Sequence, residues 1–115
     1  AATNDSSITV DSVGVTVSEA TVDFGDVAPE IALATACIYQ NSGLSPSYTL
    51  AFYRDSTLIN SKSVRVFNPD GLNVTIQFVD EYPTTGESTY KIIGKTGTST
   101  ATLSEVSMVI QGAKR

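Results

Sequence analysis

The amino-acid sequence predicts an all-β sandwich, and three observations predict it. Short runs rich in Val, Ile, Thr, Tyr and Phe alternate apolar with polar residues, the period-two signature of strands with one buried face. Turn signals separate these runs at a spacing of roughly ten residues, as in sandwiches and barrels. Charged residues make up 17% of the chain, against about 25% in an average soluble domain. The surface therefore relies on Ser, Thr and Asn; Thr suits strands, whereas helix surfaces favour Lys, Glu and Gln.

Taken in order, Ile8 to Val17 reads as one or two strands with Val13, Val15 and Val17 on one face, and Thr21-Val-Asp-Phe24 continues the pattern. The apolar run Ile31 to Tyr39 is read as a central buried strand. Its alanines would also suit a helix, but its neighbours are strands. Tyr48, Leu50 and Phe52 alternate with Thr49, Ala51 and Tyr53; Val64 and Val66 alternate with Arg65 and Phe67; Val74, Ile76 and Phe78 alternate with Thr75, Gln77 and Val79. Tyr90 and Ile92 face inward, which turns Lys91 outward. In the last strand Ala101 and Leu103 are followed by Val106, Met108 and Ile110, so the inward parity flips between Leu103 and Val106. A bulge near Ser104-Glu105 would flip it. Turns are expected at Val13-Gly-Val15, Asn41-Ser-Gly43, Asn68-Pro-Asp-Gly71, Pro83-Thr-Thr-Gly86 and Lys95-Thr-Gly97. Residues 1–7 read as a short, polar, flexible N-terminal arm and residues 8–115 as the single domain.

The 115 residues suffice for one domain with its own core. The net charge of −5 and pI near 4.4 argue against a nucleic-acid partner, which needs a basic footprint, and against an anionic membrane surface. No apolar run approaches the roughly 20 residues that span a bilayer. The N-terminus has neither the positive start nor the apolar stretch of a signal peptide, so a signal, if there was one, is already removed. The single cysteine, Cys37, excludes an internal disulfide and is expected to be a small buried hydrophobe.

Tested for chemistry, the sequence offers no catalytic residues, no metal site and no cofactor. There is no histidine to serve as base, and one cysteine cannot build a zinc site. Ser61-Lys62-Ser63 and its neighbours lack the S-x-x-K spacing. Gly94-Lys95-Thr96 resembles the end of a phosphate loop, but Thr89 stands where its first glycine belongs. Asp23-Phe24-Gly25 spells a kinase triplet without its companion motifs. Asp23 with Asp26, and Asp80 with Glu81, could form acid–base pairs of glycosidase type, although acidic residues in turns usually solvate and cap. Asn4-Asp-Ser6 and Asn73-Val-Thr75 fit the glycosylation pattern, which matters only in a eukaryotic secretory pathway.

The second half of the chain carries a resemblance. Thr49-Leu-Ala-Phe-Tyr-Arg-Asp-Ser-Thr-Leu-Ile59 resembles an L-x-R-D-G-T-x-I strand–turn–strand stretch, with Ser56 where the pattern often has Gly. Asp80-Glu-Tyr-Pro-Thr-Thr-Gly-Glu-Ser-Thr-Tyr90 resembles a D-x-P-x-x-G-x-x-x-Y segment. Ala101 to Ile110, then Lys114-Arg115, resembles a closing strand. Over residues 47–115 the chain is similar to the jelly-roll domains of bacteriophage virion proteins, which share their shape with tumour-necrosis-factor heads. The resemblance implies a single-domain jelly roll of about eight antiparallel strands, a homotrimer, and a place on the virion.

These readings lead to a capsid decoration or cement protein, trimeric and bound to the major capsid protein or another virion protein, in which the jelly roll is nearly the whole chain. Tyr39 and Tyr53, read as opposite in parity to Leu33 and Phe52, are the candidates for the subunit interface. One alternative is the receptor-binding tip of a tail fibre or spike, reading a cell-surface receptor through its loops. Tyr82 would then stack on a sugar, with Asp80 and Glu81 as acceptors. A non-viral adhesin-like module is another, and a small glycosidase the last.

Overall fold

Alternation becomes structure wherever a strand can lay one face on a core. A computed structural model describes residues 2–4, 7–41, 47–65, 72–97 and 99–114. They form nine strands: β1 (Ala2–Asn4), β2 (Ile8–Val10), β3 (Val15–Asp23), β4 (Ile31–Gln40), β5 (Ser47–Arg54), β6 (Thr57–Arg65), β7 (Leu72–Asp80), β8 (Glu87–Thr96) and β9 (Ala101–Ala113). The turn expected at Asn68-Pro-Asp-Gly71 and the alternation at Val66 and Phe67 lie outside the described residues, as do Ser42, Gly43 and Arg115.

The strand order follows from one long antiparallel hairpin whose tip is Asp55-Ser56. From the tip outward, β5 pairs with β6, β4 with β7, β3 with β8 and β2 with β9. The ribbon is then rolled, so that β9 also lies on β4 and β8 on β5. The result is one sheet in the order β1-β9-β4-β7, with β2 also on β9, facing a second in the order β3-β8-β5-β6. This doubled Greek key is the jelly roll.

The core lies between the sheets and is built from the predicted inward positions. Tyr48, Leu50 and Phe52 of β5, Phe78 of β7, Tyr90 and Ile92 of β8, and Ala101, Leu103, Val106 and Met108 of β9 are all buried. The alanines of β4 (Ala32, Ala34, Ala36) are buried as well; β4 is a central strand, flanked by β7 and β9. The small side chains leave room for the aromatic residues opposite. The parity flip in β9 is a bulge, as expected. Cys37 pairs with Ser107 and Tyr39 with Ser104, so three steps on β9 answer two on β4, and Glu105 takes φ 52°. A left-handed backbone costs a residue with Cβ roughly 1–2 kcal/mol, while glycine loosens the unfolded chain by roughly 0.5–1 kcal/mol. Glu105→Gly is therefore expected to raise stability by roughly 0.5–1 kcal/mol, read as a higher urea midpoint; an unchanged or lower midpoint would show that the bulge residue is held by more than its backbone.

Three expectations need correction. Val13 does not share a face with Val15 and Val17. The Asp11 carboxylate accepts bonds from the backbone N–H of Val13 and Gly14 at 3.0 Å each, and the resulting turn leaves Val13 85% exposed. Cys37 is exposed, because the even positions of β4 face the core and put the odd ones outside. The expected flexible arm, residues 1–7, contains strand β1, which pairs with Val106 to Met108 beyond the bulge; the 13-residue β9 is long enough to hold β1 and β2 in succession.

Local backbone geometry explains two coincidental motifs. In Asp23-Phe24-Gly25 the Asp23 carboxylate accepts from Gly25 N–H at 2.8 Å. Gly25 C=O in turn accepts from Gly86 N–H at 2.8 Å, with both glycines at positive φ. Gly94 of the phosphate-loop look-alike sits inside strand β8. A Cβ there would come within 2.9 Å of Val17 and 3.1 Å of Val10, so the glycine admits two valines to the core.

Candidate functional site

The inward parity of β5 runs Tyr48, Leu50, Phe52 and ends on Arg54; that of β7 runs Val74, Ile76, Phe78 and ends on Asp80. Rolling the ribbon brings these last residues together across the two sheets. Arg54 Nη1 donates to both carboxylate oxygens of Asp80, at 2.7 and 2.6 Å, and the side chains are 15% and 2% exposed. Tyr90, paired with Arg54 on the neighbouring strand, donates its hydroxyl to Asp80 Oδ2 at 2.7 Å. The guanidinium is held above its ordinary pKa, foremost by the hydrogen bond to Asp80. Burial, then the same carboxylate, raises the Tyr90 phenol.

This buried link clamps the next residues. Tyr82 N–H donates to Asp80 Oδ1 at 3.1 Å, and Tyr82 C=O accepts from Arg54 Nη1 at 2.9 Å. The Tyr82 backbone is thus held from both sides while the residue remains 75% exposed. Beside it runs a groove of about 580 Å³ between β6 and β7, the edge strands of the two sheets, lined among others by Leu58, Asn60, Lys62, Gln77, Val79 and Tyr82. Lys62 bridges its floor, donating to the Gln77 carbonyl with its ammonium 5.3 Å from the Phe78 ring centroid. This covers one exposed carbonyl of an edge strand.

Comparison with known proteins finds no match. No protein family, no curated protein and no solved structure matches the chain.

Of the loop residues expected to bind, Glu81 and Tyr82 are exposed at the groove, while Asp80 is not a free acceptor: it is 1% exposed and spent on Arg54, Tyr90 and the Tyr82 backbone. The same bonds give Asp80 a structural task in place of the acid–base pairing with Glu81. Arg54, Asn60 and Gln77 were not singled out from the sequence. A signal existed for Arg54, since the parity that buries Phe52 buries Arg54 too. Tyr53 does oppose Phe52, and lies on the outer face of the β3-β8-β5-β6 sheet. Tyr39, however, is six positions from Leu33, so both lie on the same outward face of β4, on the other sheet. The two interface candidates are not brought together.

A missed S-x-x-K spacing, Ser88-Thr-Tyr-Lys91, lies on β8. Residues three apart point to opposite faces of a strand, so Lys91 faces outward. Ser88 is buried, with its hydroxyl 3.0 Å from that of Thr84.

At the other end of the core Tyr48 donates to Gln40 Oε1 at 2.9 Å, while Gln40 Nε2 is buried with no partner among the described residues. Burial pushes the Tyr48 hydroxyl up to about 12. The unfolded chain gives up this proton near the ordinary value of 10.0, whereas the folded protein keeps it. Stability should therefore be flat below that pH and fall above it, by about 1.4 kcal/mol per pH unit from Tyr48, with Tyr90 acting in the same direction. Urea midpoints measured from pH 9 upward check this; Tyr48→Phe should flatten the slope, and an unchanged slope would contradict it.

Proposed function

We propose that the chain is a structural protein of a virion, a jelly roll that decorates the capsid shell as a homotrimer. The observation that carries this reading is a group of apolar side chains set among polar ones on an outer sheet face. Val13, Ala51, Tyr53, Leu58 and Ile93, interleaved with Thr49, Ser61 and Lys95, line a shallow depression of about 660 Å³ on the β3-β8-β5-β6 sheet, and Val13 and Leu58 are 85% and 54% exposed. Exposed large apolar side chains grouped on one face mark association surfaces, and aromatic residues are enriched in interface cores. The resemblance of residues 47–115 to virion jelly rolls supplies the trimer and the shell. The acidic net charge keeps the subunits soluble before assembly.

The test is the mass in solution by light scattering after size exclusion. A mass near three times 12.1 kDa is expected, falling to the monomer's in Tyr53→Lys/Leu58→Lys, whose fold is checked by circular dichroism. The same double variant should fail to bind shells that lack the protein. A wild-type monomer that also leaves bare shells undecorated would overturn the proposal.

A further inference from the structure

The two sheets turn different faces outward. On β3 and β8 the outward residues include Glu19, Asp23, Glu87, Lys91 and Lys95. On the opposite sheet the outward positions from Ile31 to Cys37 of β4, Thr75 to Val79 of β7 and Ser107 to Ala113 of β9 carry no charged residue. Among the described residues, charge comes only at the margins of this area: Glu30, Glu81 and Lys114 at one end, Glu105 at the other, and Lys62 along the β7 edge. Its middle is partly apolar. Leu33 pairs with Val79 across β4 and β7, and Val109 of β9 lies beside Thr35. Val79 and Val109 are 37% and 50% exposed. A centre without charge inside a charged rim is the anatomy of an association surface.

The polar side chains of the area are turned to one another. Gln77 Nε2 donates to Thr35 Oγ1 at 3.4 Å, and the Cys37 thiol lies 3.9 Å from the Thr75 hydroxyl. Covering groups that already have partners removes less hydrogen bonding to water than covering free ones. The charge of the whole chain selects the partner. At a net charge of −5, two copies repel wherever acidic surface meets acidic surface. A face without charge lets them meet with least repulsion, and a two-fold contact needs one face complementary to itself. The size fits a weak pair. Four strands about 4.8 Å apart and about 25 Å of strand length span roughly 500 Å² in plan. Specific interfaces begin at about 600 Å² of accessible surface from each partner.

We propose that the outer face of the β1-β9-β4-β7 sheet is an association surface whose partner is the same face of a second copy, packed sheet on sheet about a two-fold axis. It lies on the side of the sandwich opposite the depression assigned to the trimer, and it does not depend on that assignment. Where trimers form, the two-fold contact joins one trimer to another.

The test is light scattering of the full chain over a series of rising protein concentrations. The mass is expected to double as concentration rises, from trimer to hexamer, or from monomer to dimer in Tyr53→Lys/Leu58→Lys. Val109→Lys and Thr35→Lys each put like charges against one another across the axis and should weaken the doubling at least tenfold. Circular dichroism checks that both variants fold. Cys37, the single cysteine of the chain, gives a second readout. It lies on β4, the strand between β7 and β9. One outward step of about 7 Å and a sheet separation of about 10 Å put the two thiols within roughly 20 Å of each other. A bismaleimide of that reach should therefore link two chains in the wild type and fail to do so in Val109→Lys. No doubling at the highest soluble concentration, or a doubling that survives both lysine variants, would overturn the proposal. So would a doubled species that the bismaleimide does not link. A doubling without a trimer would count against the trimer alone.

Discussion

Arg54→Met is expected to cost about 3–5 kcal/mol of folding stability, the loss seen when one partner of a buried ion pair is removed and the other stays behind. The reason lies in the asymmetry of the pair. Asp80 has a 2% exposed side chain at the end of an inward-facing row, and the two bonds left to it, from the Tyr90 hydroxyl and the Tyr82 N–H, come from neutral donors. An uncompensated carboxylate in that place is the expensive product. Asp80→Asn should cost less, because Arg54 is 15% exposed on a long stem that can carry its charge to water. The double variant Arg54→Met/Asp80→Asn should be close to Asp80→Asn alone, since an amide is far cheaper to bury than an ion. Urea unfolding of the three variants checks this. A loss below about 1 kcal/mol for Arg54→Met would show that the pair behaves as an exposed one.

Phe52→Ala should cost a similar about 3–5 kcal/mol, for a different reason. The ring is fully buried and lies between Phe78 of the facing sheet, at 5.0 Å and 9° between planes, and Tyr90 of the adjacent strand, at 5.3 Å and 7°. Removing the middle ring of the stack opens a cavity beside β8, which is hydrogen-bonded on both sides and cannot close in, and β7, which is held on one side by β4. Phe52→Leu keeps most of the volume and loses the stacking, worth about 0.5–1.5 kcal/mol per ring pair; its loss should be well under half that of the alanine variant. Equal losses in the two variants would mean that ring geometry, not volume, holds the sheets together. Since a domain of this size is stabilised by about 5–15 kcal/mol in all, either Arg54→Met or Phe52→Ala should remove a large share of it, from roughly a fifth upward.

Much of the fold was legible because side-chain direction in a strand is a local property. The inward rows ending on Phe52, Phe78 and Ile92 were read from alternation alone. The bulge at Glu105 was read from the break in that alternation between Leu103 and Val106. The reading failed where a side chain or a single step overrode the pattern. The Asp11 carboxylate turns the chain and puts Val13 in solvent; the period of two puts Cys37 outside although it sits in an apolar run. The candidate site was less legible still. The sequence points to Tyr82 and Glu81 but sets Asp80 with them on the loop, although Asp80 continues the inward row of Phe78. Asn60 and Gln77 carry no motif at all.

The sequence by itself determined the strands, their inward faces and the irregularity that keeps β9 in register, because each depends on residues within a few positions of one another. Which inward residues meet was decided only by the tertiary structure. The rolled hairpin carries Arg54 to Asp80, 26 residues away, and sets the β6 edge beside the β7 edge, since the choice of neighbouring strands depends on closing the whole core at once. The groove, and the clamp that mounts Tyr82 beside it, exist only after that choice is made.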